Sequence, residues 1–162
     1  MNIKKINTIR TRSIRKGEKN GKTGLFMTTE ELNKIEEQGK IAYRFKVFGG
    51  EYAYLTDEVY SKDNYVMEMH YTTIDDWKKV KPDIKTIYIL PNDINIAIQK
   101  TKERNLPPEK EFERIKEIKE QYNRFLNDEE LRKKFNYCIY NNYDQKSEEQ
   151  IIDIIKNISQ GE

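Results

Sequence analysis

Apolar and polar positions alternate most regularly in "KIAYRFKVF", residues 40–48. On an extended chain Ile41, Tyr43, Phe45 and Val47 share one face, and Ala42, Arg44, Lys46 and Phe48 share the other. Gly49-Gly50 then turns the chain into "EYAYLT", so the segment predicts a β-hairpin. Upstream, "FMTTEELNKIEEQG" predicts a helix with both ends marked. Thr28 caps it, Glu31 can reach back to the cap amide, and Met27 and Leu32 have the spacing of a hydrophobic staple. Gly39 supplies the left-handed stop. Residues 3–12 alternate weakly and predict a strand, followed by a polar loop through Gly24.

Downstream, "NYVMEMHY" predicts a strand, "TIDDWKKV" a short helix and "TIYIL" a buried strand ending at Pro91. That order predicts a crossover unit in a parallel sheet. Asp93 starts a helix over residues 94–104, and "NLPPEK" interrupts it. A long helix runs from Pro108 to Phe125, with Phe112, Ile115, Ile118, Tyr122 and Phe125 on one stripe. Asn127 with Glu130 caps a shorter helix, and "NYCIYN" is the last strand. Ser147 caps a final helix whose Ile151, Ile152, Ile154, Ile155 and Ile158 pack inward. The pattern reads as one compact α/β unit.

The 162 residues suffice for one domain with a modest core. Basic residues number 30 and acidic residues 28, a net charge of +2, so overall charge does not point to nucleic acid and any basic site is local. The one cysteine, Cys138, excludes an internal disulfide framework; in "FNYCIY" it reads as a buried thiol rather than a nucleophile. The one histidine, His70, has no second histidine with which to build a metal site or a triad, so neither metal nor cofactor is expected. No stretch approaches the roughly 20 apolar residues of a membrane span, and "MNIKKINTIRTR" lacks the apolar core of a signal peptide. The expectation is a soluble, cytoplasmic protein without membrane contact. Abundant Lys, Asn and Ile fit an AT-rich coding sequence, such as a phage carries.

Gly17-Glu18-Lys19-Asn20-Gly21-Lys22-Thr23 nearly reads as a phosphate-binding loop. A Walker A loop needs G-x-x-x-x-G-K-[ST], and position 16 is Lys rather than Gly. Its amides also cradle phosphate only where a helix N-terminus follows directly. Here the next helix begins only near Thr28.

Read from Thr8, the same segment is T-x-x-T-R-x-x-R-x-G-E-x-N-G. This resembles the monophosphate-binding segment of guanylate kinases, which runs S-x-T-T-R-x-x-R-x-G-E-x-N/D-G-x-x-Y-x-F. The likeness continues: the capped helix and hairpin, "YVMEMHYTT", "IYILPND", "ERNLPPEKEFERIKEIKEQY" and "FNYCIYNN" are similar to the family's later elements in order. The resemblance implies an α/β, three-layer fold with a reduced, mostly parallel sheet, a small β-hairpin monophosphate-binding subdomain and a helical lid. Residues 1–162 would form one domain, with about 7–60 as the monophosphate subdomain and about 65–158 as the remaining core and lid.

The departures matter as much. The family's preceding strand, P-loop and helix have no counterpart in the seven residues before Thr8, which leaves a gap that neighbouring strands or a second copy would fill. The guanine-reading glutamate falls on Tyr43, a phosphate-binding tyrosine on Gly24, and two aspartates of the central strand on Glu68 and His70. Thr8, Arg12, Arg15 and Tyr52 survive, and Arg104 and Arg114 lie near lid arginine positions.

Arg12 and Arg15, with Arg10 beside them, can clamp a phosphate through planar guanidinium forks, or they form an ordinary basic surface loop. The hairpin aromatics Tyr43, Phe45, Phe48, Tyr52 and Tyr54 can stack a base or pack as core; Tyr52 and Tyr54 point the same way. Glu68 and His70, two apart on one strand face, are candidate ligand-site residues that can form an acid/base pair, and they read more readily as a hydrogen-bonded structural pair; Trp77 reads as core or rim. Phosphoryl transfer needs donor phosphates and metal held in line with the acceptor. The leading reading is therefore a non-catalytic guanylate kinase-like protein that binds a nucleotide or another phosphorylated small molecule, sequestering a nucleotide signal. A module for phosphorylated protein partners, and a nucleoside monophosphate kinase completed by a second polypeptide, remain as alternatives.

Overall fold

The computed structural model describes residues 3–47 and 49–160. Phe48, placed above on the hairpin, lies outside the described residues. The chain divides into two compact units, Met1–Ile84 and Lys85–Glu162.

The first unit is organised by a four-stranded sheet. Strand β2 (Ile9–Arg10) pairs in parallel with β3 (Leu25–Phe26) and antiparallel with β5 (Gly50–Leu55), which forms the expected hairpin with β4 (Ile41–Val47). Helix α1 (Thr29–Glu37) joins β3 to β4. Its start carries the capping box: Thr28 Oγ1 accepts from the Glu31 amide at 3.2 Å, and the Glu31 carboxylate accepts from the Thr28 amide at 2.8 Å. Gly39 takes φ +70° just past its end, and Gly49 takes φ +70° in the hairpin turn.

The hairpin departs from strict alternation at one place. A bulge puts Ala42 and Tyr43 opposite Tyr54, so Ile41 pairs with Leu55 and Tyr43 with Tyr54. Ile41 therefore joins Ile9, Leu32, Ala53 and Leu55 in one apolar cluster. Tyr43 and Phe45 join a second cluster built around Tyr54 and Trp77. The shared face predicted for Ile41 and Tyr43 is thus split by one extra residue.

Two further expectations are shortened. The strand over 3–12 breaks into β1 (Lys4–Lys5) and β2, which enter different sheets. "NYVMEMHY" contributes only β6 (Tyr65–Val66), paired in parallel with β1. Between β5 and β6 lies α2 (Thr56–Val59). A single turn at Tyr71–Thr73 then leads into α3 (Ile74–Val80), whose Trp77 is fully buried.

In the second unit, β7 (Ile87–Pro91) runs parallel to β8 (Tyr137–Asn141). A parallel pair needs a crossover, and here it consists of α4 (Ile94–Lys102), α5 (Pro108–Asn127) and α6 (Glu129–Lys133). The final helix, α7 (Gln145–Gln160), packs on β8. Tyr88 stacks on buried Phe125 with ring centroids 3.8 Å apart, and Leu90, Leu131 and Ile139 complete the core. The crossover thus joins β7 to β8; β6 belongs to the sheet of β1, so the predicted link from "NYVMEMHY" to "TIYIL" is not made through one sheet. The mostly parallel sheet is likewise replaced, among the described residues, by small separate sheets, the largest of them mainly antiparallel.

Local corrections follow from neighbours that compete for the same role. Asp128, not Asn127, caps α6 by accepting from the Leu131 amide at 2.9 Å, and Asn127 ends α5. Asp144 accepts from the Ser147 amide at 2.8 Å, which places Ser147 inside the first turn of α7. Phe112 is 71% exposed and Ile152 48% exposed, so both leave the predicted apolar stripes. Cys138 is exposed rather than buried. The two-residue period of β8 sends Ile139 inward and leaves Cys138 and Tyr140 on the opposite face.

Candidate functional site

In the first unit, residues 10–24 carry six basic side chains and one carboxylate, Glu18. The loop folds around that carboxylate. Arg12 grips it as a two-pronged fork, Nη1 to Oε2 at 2.7 Å and Nη2 to Oε1 at 2.6 Å. The Arg15 amide donates to Oε2 at 2.8 Å, and Arg10 Nη1 lies 3.5 Å from Oε1. The Arg12 hydrogen bonds, followed by the Arg15 amide, lower the Glu18 pKa to about 2. Arg12 is raised in turn, first by Glu18 and then by the Tyr52 hydroxyl. Both Arg10 and Arg12 lie over the Phe26 ring, at 5.7 and 5.4 Å from its centroid.

Arg10 is a structural residue. Its Nη1 donates to the Thr23 carbonyl at 2.9 Å. Gly24, where the family pattern has a tyrosine, makes room for it: a Cβ there would sit 2.9 Å from Arg10 Nη1 and 3.1 Å from the Thr8 carbonyl. The loop passes directly into β3.

The predicted residues separate into groups. Arg12 meets Tyr52, and Tyr52 stacks on Phe45 at 5.5 Å. Phe45 stacks on Tyr43 at 5.5 Å, and Tyr43 meets Trp77 edge-on at 5.1 Å. A ladder of rings therefore runs from Trp77 to the arginine loop. Tyr54 is 1% exposed, so it is a core ring; its hydroxyl accepts from buried Thr8 at 3.4 Å and donates to the Glu68 carbonyl. The Arg15 side chain is exposed and has no ion pair among the described residues. The expected Glu68–His70 pair gives way to other partners: Glu68 lies on Lys5 at 3.2 Å, and His70 Nδ1 meets Thr72 Oγ1 at 2.7 Å. Their two-residue spacing assumed a continuous strand, and the strand ends at Val66.

At the position of the family's base-reading glutamate, Tyr43 donates to Asp76 Oδ2 at 3.0 Å. Burial, reinforced by the Asp76 carboxylate, pushes this phenol up to about 12. The first unit thus presents a tyrosine–aspartate pair at the far end of the ring ladder from Arg12.

In the second unit, Arg104 and Arg114 line the same pocket, of about 250 Å³. Arg114 also pairs with Glu117 at 2.5 Å. Sequence reasoning missed Glu18, Asp76, Lys100 and Tyr143. The T-R-x-x-R-x-G-E register contains Glu18 but assigns it no role. Nothing local marks Lys100 and Tyr143, which approach only through the packing of α4 near the end of β8.

No family profile and no curated protein matches the chain. A solved structure does: the crystal structure of guanylate kinase from Anaplasma phagocytophilum superposes with a TM-score of 0.68 at 19% sequence identity, over 95% of this chain and 74% of that one. No helix among the described residues is long and apolar enough to cross a membrane. The order of elements and this superposition together give the chain a guanylate kinase-like fold.

Proposed function

We propose that the chain binds a nucleotide or another phosphorylated ligand at the Arg12–Arg15 loop and the Tyr52–Phe45 rings, without transferring a phosphoryl group. This takes residues 1–162 as one guanylate kinase-like domain, with the first unit as its acceptor-side half. The observation that carries the reading is the state of Arg12. Its fork is fixed by Glu18, yet its Nε–H is buried with no hydrogen-bond partner among the described residues. An unmet buried donor costs about 1–3 kcal/mol, and a phosphate oxygen is the acceptor such a group favours. Six cations against one carboxylate leave residues 10–24 at a net +5 (six minus one), so the loop attracts an anion even with Glu18 paired. Fixing Arg12 in advance also lowers the ordering cost of binding.

The reading is non-catalytic because the amides of the Gly17–Thr23 turn feed a strand, where no helix N-terminus adds its field to hold a donor triphosphate. The role that follows is sequestration of a nucleotide signal. The test is a thermal-shift and calorimetric screen of nucleoside mono-, di- and triphosphates and cyclic dinucleotides. Expected is a saturable rise in melting temperature that disappears in the Arg12→Ala, Arg15→Ala double variant. Unchanged affinity in that variant, or ADP formation from ATP and a nucleoside monophosphate by the purified chain, refutes the proposal. A phosphopeptide that binds where nucleotides do not would move the ligand class to protein partners.

A further inference from the structure

We infer that the Arg12 loop is built for a small phosphodiester, such as a cyclic nucleotide, rather than for a terminal phosphate. The inference rests on the reading above and narrows its ligand. The donors of Arg12 set the first limit. A guanidinium has five N–H groups. Nη1 donates to the Ser13 carbonyl at 2.9 Å and to Glu18 Oε2 at 2.7 Å, and Nη2 donates to Glu18 Oε1 at 2.6 Å. The remaining edge carries the second Nη2 hydrogen and Nε–H, which is buried and unmet among the described residues. Two parallel donors on one edge match the two non-bridging oxygens of a diester. The third oxygen of a terminal phosphate would find no further donor on Arg12.

Charge sets the second limit. Arg10 and Arg12 stand against the Glu18 carboxylate, two cations and one anion, a local balance of +1 (two minus one). Glu18 stays ionised down to a pH of about 2, so this balance holds at neutrality. A diester carries one negative charge there, whereas a monoester carries nearly two, since its second pKa is about 6. The extra charge of a dianion on the Nε edge would face the carboxylate across one guanidinium, where like charges repel. Arg15 turns its amide to this centre, while its side chain is exposed, as are Lys16, Lys19 and Lys22. Those charges lie in water, which weakens their pull on a ligand. Gly50 keeps the approach open: a Cβ there would stand 3.6 Å from Arg12 Cβ and 3.9 Å from the Tyr52 hydroxyl oxygen. The Tyr52 and Phe45 rings, stacked at 5.5 Å, offer a surface to the ring beside the phosphate.

The test is calorimetry on the full chain at about pH 7.5 and about pH 5.5. The probes are adenosine and guanosine 5′-monophosphates, their 3′,5′-cyclic forms and the cyclic dinucleotides of the same bases. At the higher pH one of the cyclic forms should bind about fivefold or more tighter than the matching monophosphate. As pH falls the monophosphates lose a charge and gain affinity, while the cyclic forms keep one charge per phosphate and do not. Glu18→Gln removes the opposing carboxylate and should abolish or reverse the preference. The pH series needs no substitution, so it decides the matter even where that variant fails to fold. Monophosphates that bind as tightly as their cyclic forms at about pH 7.5, or a preference that neither pH nor Glu18→Gln moves, overturn this inference and leave the anion site standing. Failure of all these probes to bind overturns it too, and silence in the wider nucleotide screen would take down the underlying reading with it. Affinity that climbs with the length of a single-stranded oligonucleotide would mark a nucleic-acid groove and overturn the small ligand.

Discussion

In residues 10–24 two of the six basic side chains, Arg10 and Arg12, meet a single carboxylate, whereas the cations of the second unit border a pocket whose lining contains none. The first arrangement fixes geometry: Arg12 is oriented and half-buried, and its charge is partly spent on Glu18. The second is looser: Lys100 and Arg104 are exposed and retain more side-chain freedom. The two basic regions thus differ in how far their own chain has ordered them. Each unit's core includes a fully buried large aromatic residue, Trp77 with Tyr54 in the first and Phe125 in the second.

The largest effect tests that last parallel. Trp77→Ala and Phe125→Ala should each cost about 3–5 kcal/mol in urea denaturation. A far smaller loss for either would show that one unit does not depend on its ring. Next comes the anchor of the first loop. Glu18→Gln keeps the shape and removes the charge, and should cost about 1–2 kcal/mol. The effect depends on pH in a defined direction. Because folding lowers the Glu18 pKa from 4.5 to about 2, its contribution is complete above pH 4.5 and fades as pH falls from there toward 2. The melting temperature of the parent chain should fall over that window more steeply than that of the variant; parallel curves would remove Glu18 as the anchor.

Gly24→Ala asks whether the space used by Arg10 is real. With a Cβ 3.1 Å from a backbone carbonyl and 2.9 Å from a guanidinium, we expect a loss of about 1 kcal/mol, and no loss if Arg10 can lie elsewhere. The smallest effect belongs to the second unit. Lys100→Ala should change stability by no more than about 0.5 kcal/mol in the same denaturation experiment, since the side chain is exposed and forms no ion pair among the described residues. A larger loss would mean that its contact with Tyr143 supports the fold.

Much of the scaffold could be read directly. The hairpin and α1 follow from patterns contained within a few residues, so alternation and the Thr28–Glu31 pair are enough. Boundaries slipped where adjacent residues have similar capping ability, as at Asn127 and Asp128. The short strands β1 and β6 were overextended because apolar alternation continues beyond the backbone pairing. The site was less legible. The T-R-x-x-R-x-G-E register located the basic loop, but no spacing rule says that its glutamate will occupy its arginine. The bond from Tyr43 to Asp76 and the approach of Lys100 to Tyr143 arise from chain segments distant in sequence, and packing alone brings them together.

The bulge at the start of β4 also makes that strand tolerant of a change in length. Ile41 faces one cluster and Tyr43 the other because Ala42 is surplus to the pairing, so a chain lacking Ala42 could close into regular register with every ring still on its present side. The same deletion between Tyr43 and Val47 has no such reserve and would turn one of the stacked rings toward the helix. Insertions and losses in this hairpin should therefore be survivable at one end and damaging along the rest.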